Sequence, residues 1–179
     1  MSGHSKWTQI KHQKSITDQK RGRLFSKLLN SVAIAALTDP NPNTNIRLRT
    51  AIQKAKSNNV PQENIERAIK RATDKNENLE ELILEAYGPG GIAVLIEAIT
   101  DNKNRTVSEI KKILGDLNCK WAEVGSVRWA FEENRGEGDR WKAKFPQTPP
   151  PDIVDQIKNL TTSLENHDDV QKVFTNATF

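Results

Sequence analysis

The chain has 179 residues, 35% of them apolar, a formal net charge of +4 and one cysteine, Cys119. That length suits one large domain or two small ones, a lone cysteine excludes an intramolecular disulfide, and no apolar run approaches the roughly 20 residues of a bilayer span. The modest total charge hides an asymmetry: residues 1–75 carry fifteen Lys/Arg against five Asp/Glu, a net of +10, and residues 76–179 carry twelve against eighteen, a net of −6. Concentrated positive charge repels itself, so it suggests a polyanion partner for the first half. A basic but merely solvated exterior is the plainer alternative.

The first fourteen residues, MSGHSKWTQIKHQK, hold Lys6, Lys11, Lys14, His4 and His12 and no acid. They read as a basic tail, because Trp7 has nothing to bury against locally and chain termini stay loose unless tied down. Through residue 27 the additions Lys20, Arg21, Arg23 and Lys27 bring the count to seven Lys/Arg against Asp18. In RLFSKLLNSVAIAALTD, Phe25, Leu28, Leu29, Val32 and Ala36 recur at three- and four-residue steps and make one apolar helical face. Pro40 and Pro42 break that helix. A second is predicted from about Asn45 to Ser57, with Leu48, Ala51, Ile52 and Ala55 inward and Arg47, Arg49, Lys54 and Lys56 largely outward. Pro61 opens a third, with Ile65, Ala68, Ile69 and Ala72 inward. Each is too short to stand alone, so the three must pack together.

Residues 74–81 have no apolar period and mark a boundary, giving a basic tail with a three-helix domain over 1–76 and a second domain over 80–179. There, LILEAYGPGGIAVLIEAIT predicts two strands joined by a hairpin turn at Gly88-Pro89-Gly90-Gly91. Ile92–Ile96 is apolar on both faces and belongs in the middle of a sheet. Thr106-Val107-Ser108-Glu109 fits a capping box that starts a helix. A short strand is expected at 119–123, and SVRWAFEE alternates like a strand with Val127, Trp129 and Phe131 on one face. A helix burying Ile153, Ile157, Leu160 and Leu164 and a strand in DVQKVFTNA close the chain. The order is β-(βαββαβ): a ferredoxin-like antiparallel sheet with one extra leading strand and helices on one face. The fold class is α+β.

Catalytic and metal signatures are missing from the sequence. His4 and His12 lie in the basic tail, His167 is remote, and no zinc-type His/Cys spacing appears. The histidines read as solvent-facing or nucleic-acid contacts, and the carboxylate neighbours Glu80-Glu81, Glu132-Glu133 and Asp168-Asp169 read as solvated surface. Gly88-Pro89-Gly90-Gly91 lacks the lysine of a phosphate loop. Neither an enzyme, a cofactor nor a small-molecule substrate is expected. Cations interleaved with Trp7 suit irregular or single-stranded RNA, whose unpaired bases offer a face for stacking; the alternative for Trp7 is a hydrophobic pin folded back on the helices.

The segments MSGHSKWTQIKHQK, NPNTNIRLRTAIQKAK, NNVPQENIERAIK, EAYGPGGIAVLIEAITDNKNRT and GSVRWAFEE resemble the YebC/PmpR family, which includes translational activators of cytochrome oxidase subunit I. The resemblance is colinear over almost the whole chain. It implies a helical first domain, ferredoxin-like α/β architecture and a non-enzymatic role in gene expression, as a ribosome- or rRNA-binding translation factor or as a DNA-binding transcriptional regulator. On that analogy Gly3, His4, Ser5, Lys6 and Trp7 approach RNA near the peptidyl-transferase region, with the backbone close at the glycine and serine and Trp7 stacking. Longer members carry a third domain that this chain lacks around 134–146. The resemblance implies a bacterial-type cytoplasmic protein, or an organellar one already processed. A protein-binding scaffold built on the acidic half is the remaining reading.

Overall fold

The computed structural model describes residues 3–74, 78–134 and 139–179, with side chains from Lys11 onward except His12 and Gln13. Two compact units divide the chain, Met1–Glu77 and Asn78–Phe179. Among the described residues no helix is long and apolar enough to cross a membrane.

The first unit is three helices: α1 (Gly3–Ala36), α2 (Ile46–Ser57) and α3 (Gln62–Thr73). Its core draws Leu28, Val32 and Ala33 from α1, Leu48 and Ala55 from α2, and Ile65, Ala68 and Ala72 from α3. The apolar steps read from the sequence therefore face one another. The start of the chain differs from the expected loose tail, because α1 is one helix of 34 residues beginning at Gly3. From Ser5 to Thr38 the sequence has no proline and one glycine, Gly22, so nothing in it interrupts the ladder. Pro40 ends the run, and Asn45 joins the two helices across the turn. The Asn45 Nδ2 amide donates to the Ala35 and Asp39 carbonyls at 2.8 and 2.7 Å, while Oδ1 accepts from the Leu48 amide at 2.9 Å. One side chain thus caps α2 and closes the end of α1.

The second unit is built on a four-stranded sheet in the order β3-β1-β2-β6, with β1 (Glu80–Tyr87), β2 (Ala93–Thr100), β3 (Lys120–Ala122) and β6 (Val170–Thr175), every neighbouring pair antiparallel. Helices α4 (Lys103–Asp116) and α5 (Pro151–Glu165) pack on one face, where Leu84, Val94, Ile96, Ile110, Leu114, Leu160 and Leu164 form the larger core. A two-stranded ribbon, β4 (Phe131–Glu133) with β5 (Trp141–Ala143), covers the other face over Leu95, Val127, Phe131, Trp141 and Phe174. Strand β2 is buried on both sides and central, as its unbroken apolar run requires. The glycine cluster is the hairpin link: the Gly88 amide donates to the Ile92 carbonyl at 2.8 Å, and Gly90 and Gly91 take φ of 68° and 75°.

The fold is α+β with ferredoxin-like architecture, but the strand allocation differs from the sequence reading. Strands β2 and β3 are the two arms of the split unit joined by α4, and β1 lies between them. The leading strand is therefore not extra; its eight-residue hairpin pairing with β2 claims the inner slot. The SVRWAFEE segment is displaced from it. It forms a turn, a 3-10 stretch at Arg128–Ala130 and only then β4, and Trp129 lies outward instead of beside Val127 and Phe131. The cause is Glu85, a carboxylate only 2% exposed that accepts from the amides of Gly125, Val127 and Arg128 at 2.6, 2.7 and 3.0 Å. Three amides bound to one side chain cannot enter a strand ladder.

The capping box is displaced too. Helix α4 starts four residues earlier, capped by Asn102, whose Oδ1 accepts from the Arg105 amide at 3.1 Å. That leaves the Thr106 hydroxyl buried and free to bond elsewhere.

Candidate nucleic-acid interface

The cations predicted to meet a polyanion lie on the helices of the first unit. Lys11, Lys14, Lys20 and Arg21 on α1 are exposed, as are Arg47, Arg49, Lys54 and Lys56 on α2; Arg23 and Lys27 are half-buried. Gly3, His4, Ser5, Lys6, Trp7 and His12 fall within the backbone of α1, and their side chains lie outside the described residues. The contacts predicted for Trp7 and Lys6 lie outside them as well.

Helical pitch distributes these charges in a definite way. At 3.6 residues per turn, Lys14 and Arg21, seven apart, share one side of α1, and Lys20, Arg23 and Lys27 share another. Every side chain between Lys14 and Gly22 is exposed. With Ile16 its one apolar side chain, this part of α1 is polar almost all round. On α2 the buried pair Leu48 and Ala55 is flanked by Arg47 with Lys54 on one side and Arg49 with Lys56 on the other. Lys54 and Lys56 also sit in the last turn of α2, where they favour the helix dipole. On α3, Arg67, Lys70 and Arg71 point away from the buried Ile65, Ala68 and Ala72; Arg67 is held by Glu63 at 2.9 Å. The Arg21 guanidinium lies over the Phe25 ring at 5.2 Å. Such a surface can neutralise phosphates from several directions without reading base edges.

The second unit gathers titratable groups at a place the sequence reading took for surface. Asp169 and His167 are not solvated: their side chains are 13% and 12% exposed. The Asp169 carboxylate accepts from Thr106 Oγ1 at 2.6 Å and Arg105 Nη2 at 2.8 Å, and the Thr100 and Thr106 hydroxyls are 2.8 Å apart. Burial by itself would raise the Asp169 pKa, but the bonds from Thr106 and Arg105 and the guanidinium charge outweigh it and hold the carboxyl below its ordinary value. In turn Asp169 raises the Arg105 pKa, chiefly through the hydrogen bond between them.

Among the described residues Glu109, His167 and Asp169 bring three potential metal ligands within 4.8 Å of one another. Their existing partners argue against that use. His167 Nδ1 accepts from the Asp169 amide at 3.1 Å, so the neutral ring carries its proton on Nε2, which faces Glu109 Oε2 at 2.8 Å. Nε2 then has no lone pair to offer a cation, and the Arg105 guanidinium already occupies the Asp169 oxygen. The cluster is a lock that ties the first turn of α4 to the start of β6. Residue spacing carries no signal for it, because Arg105 and Asp169 are 64 residues apart.

These features define an α+β protein with a basic helical unit followed by a mildly acidic sheet unit. Residues 5–75 match the family model of the TACO1/YebC protein N-terminal domain, and residues 79–136 match that of the TACO1/YebC second and third domain. The chain belongs to the TACO1/YebC family. It is 51% identical over 136 residues to a "Probable transcriptional regulatory protein" of Trichlorobacter lovleyi, covering 74% of this chain and 55% of that protein. A protein of the same name from Pseudothermotoga lettingae is 52% identical over 135 residues, covering 74% and 53%. The chain spans about half the length of the curated relatives it matches. A crystal structure of a conserved hypothetical protein from Aquifex aeolicus is similar at 31% identity and a TM-score of 0.82, over 90% of this chain and 91% of that one.

Proposed function

We propose that this protein is a non-enzymatic regulator of gene expression that binds RNA of the ribosome through the helices of its first unit. The observation that carries this reading is the exposed stretch of α1, which bears Lys14 and Arg21 on one side and Lys20 on another. A helix with cations on more than one side suits a cleft between phosphate strands better than the outer wall of a duplex. On the family resemblance, Trp7 and Lys6 at its start reach unpaired bases. The short link between β4 and β5 stands where longer relatives carry a third domain, so any contact made by that domain is absent. The bacterial relatives favour a cytoplasmic setting.

A second reading, a DNA-binding transcriptional regulator, is favoured by the name that the curated relatives carry. It requires side chains held in a groove against base edges, and Arg67, Lys70 and Arg71 on α3 are the residues available for it.

Sedimentation with ribosomes and with duplex DNA across a salt series separates the two. The RNA reading expects co-sedimentation with ribosomes that persists when duplex DNA competes. Changing Lys14, Lys20 and Arg21 together to alanine should weaken binding and flatten the slope of log affinity against log salt by roughly 2, about 0.7 for each phosphate left without its cation. Ribosome binding equal to that of the unaltered protein at every salt would remove α1 from the mechanism.

A further inference from the structure

Two of the exposed aromatic rings of the second unit lie against each other outside its core. Trp129 is 62% exposed and Phe145 is 48% exposed, and their ring centroids lie 5.6 Å apart at 48°. The Trp129 ring and the Phe145 backbone are held in place. The Trp129 indole Nε1–H donates to the Ser126 carbonyl at 2.8 Å, and the Tyr87 hydroxyl donates to the same carbonyl at 3.0 Å. The turn that carries Ser126 is held by buried Glu85. On the other side, the Lys144 amide donates to the Ala130 carbonyl at 2.8 Å, and the buried Asn176 Nδ2 donates to the Phe145 carbonyl at 3.0 Å. Large exposed rings normally lose rotamer freedom only on meeting a partner; for Trp129 that ordering is already done.

The charges around the rings select the partner. Residues 120–130 and 141–147 hold Lys120, Arg128, Lys142 and Lys144 against Glu123, in a unit whose balance over 78–179 is twelve Lys/Arg against seventeen Asp/Glu. Glu132 faces Lys142 across the ribbon; Lys144 lies against a ring of the aromatic pair, and Arg128 directly precedes Trp129 in the chain. Lys144 Nζ sits 5.4 Å from the Phe145 ring centre and the Arg128 guanidinium 4.9 Å from that of Trp141. Fixed aromatic faces edged by cations in an otherwise acidic unit match the chemistry of an unpaired base with its phosphate.

We propose that Trp129 and Phe145 form a stacking platform for unpaired RNA bases, with Arg128 and Lys144 on the adjoining phosphates. This rests on the reading that the protein binds RNA and adds a second contact, separate from α1. A duplex, whose bases are already stacked, gains nothing from it.

The test uses the full chain and a short fluorescent oligouridine, with a duplex RNA of equal length alongside. Trp129→Ala should weaken oligouridine binding roughly 5- to 100-fold, the range for removing one base stack. It should leave the salt slope and duplex affinity unchanged. Trp129→Phe keeps an aromatic face and should stay within about threefold of the unaltered protein. Thiouridine-substituted RNA should crosslink at Trp129 or Phe145, a readout that needs no variant. Unchanged oligouridine affinity in Trp129→Ala, with crosslinks elsewhere, overturns the platform while α1 binding stands. Failure of the unaltered protein to bind any RNA overturns the reading beneath it as well. If Trp129→Ala instead abolishes self-association and spares RNA affinity, the face belongs to protein and the proposal fails.

Discussion

Glu85 shows how one residue redirects a chain. Its carboxylate is buried and satisfied by three amides of the 125–128 turn, so its removal leaves donors that water reaches poorly. Glu85→Ala is expected to destabilise the second unit by about 3 kcal/mol, measured by denaturant unfolding, and to broaden the Trp129 emission as its turn loosens. Asp169 makes a pH-dependent contribution. Its folded pKa lies below the ordinary 3.8, so the stabilisation is present in full above that value and is lost as pH falls through the lower folded value. Asp169→Asn should cost about 1 kcal/mol near neutrality, a modest figure because Arg105 is partly solvated. The gap between variant and unaltered protein should close in acid below about pH 4. Unfolding midpoints measured from pH 7 down to 3 check both the size and the direction.

Among elements, the α1–α2 connection depends on a single side chain. Asn45 satisfies the Ala35 and Asp39 carbonyls and the Leu48 amide at once, so Asn45→Ala removes a cap and strips two carbonyls together. A loss of about 2 kcal/mol is expected, against about 1 for an ordinary cap, read from the helical signal of the full chain on heating. The short helices were legible in the sequence because each has a narrow apolar stripe whose period is set by burial. The first half of α1 was not, because every side chain from Lys14 to Gly22 is exposed and leaves no period to read. The strand in SVRWAFEE was misassigned for the opposite reason: its alternation is real, but the buried carboxylate of Glu85, about forty positions upstream, competes for the same amides.

For the whole molecule, the first unit carries the excess of positive charge, and the second carries the larger core and the aromatic pair. Net charge by halves was visible from composition alone and needs no structure. The lock around Asp169 was hidden because it joins segments 64 residues apart, and the approach of Phe145 to Trp129 because it depends on a ribbon pairing that the sequence reading did not make. The likeness to the Aquifex aeolicus structure covers 90% of the chain, whereas these curated relatives match 74% of it.

Helix α1, unbroken for 34 residues, is about 50 Å long at 1.5 Å per residue. Its buried side chains begin at Leu28, and the exposed stretch from Lys14 to Gly22 stands before them like a boom. A grip on its far end would fix the heading of everything attached to its root, letting a few ionic contacts aim the three-helix unit as well as tether it.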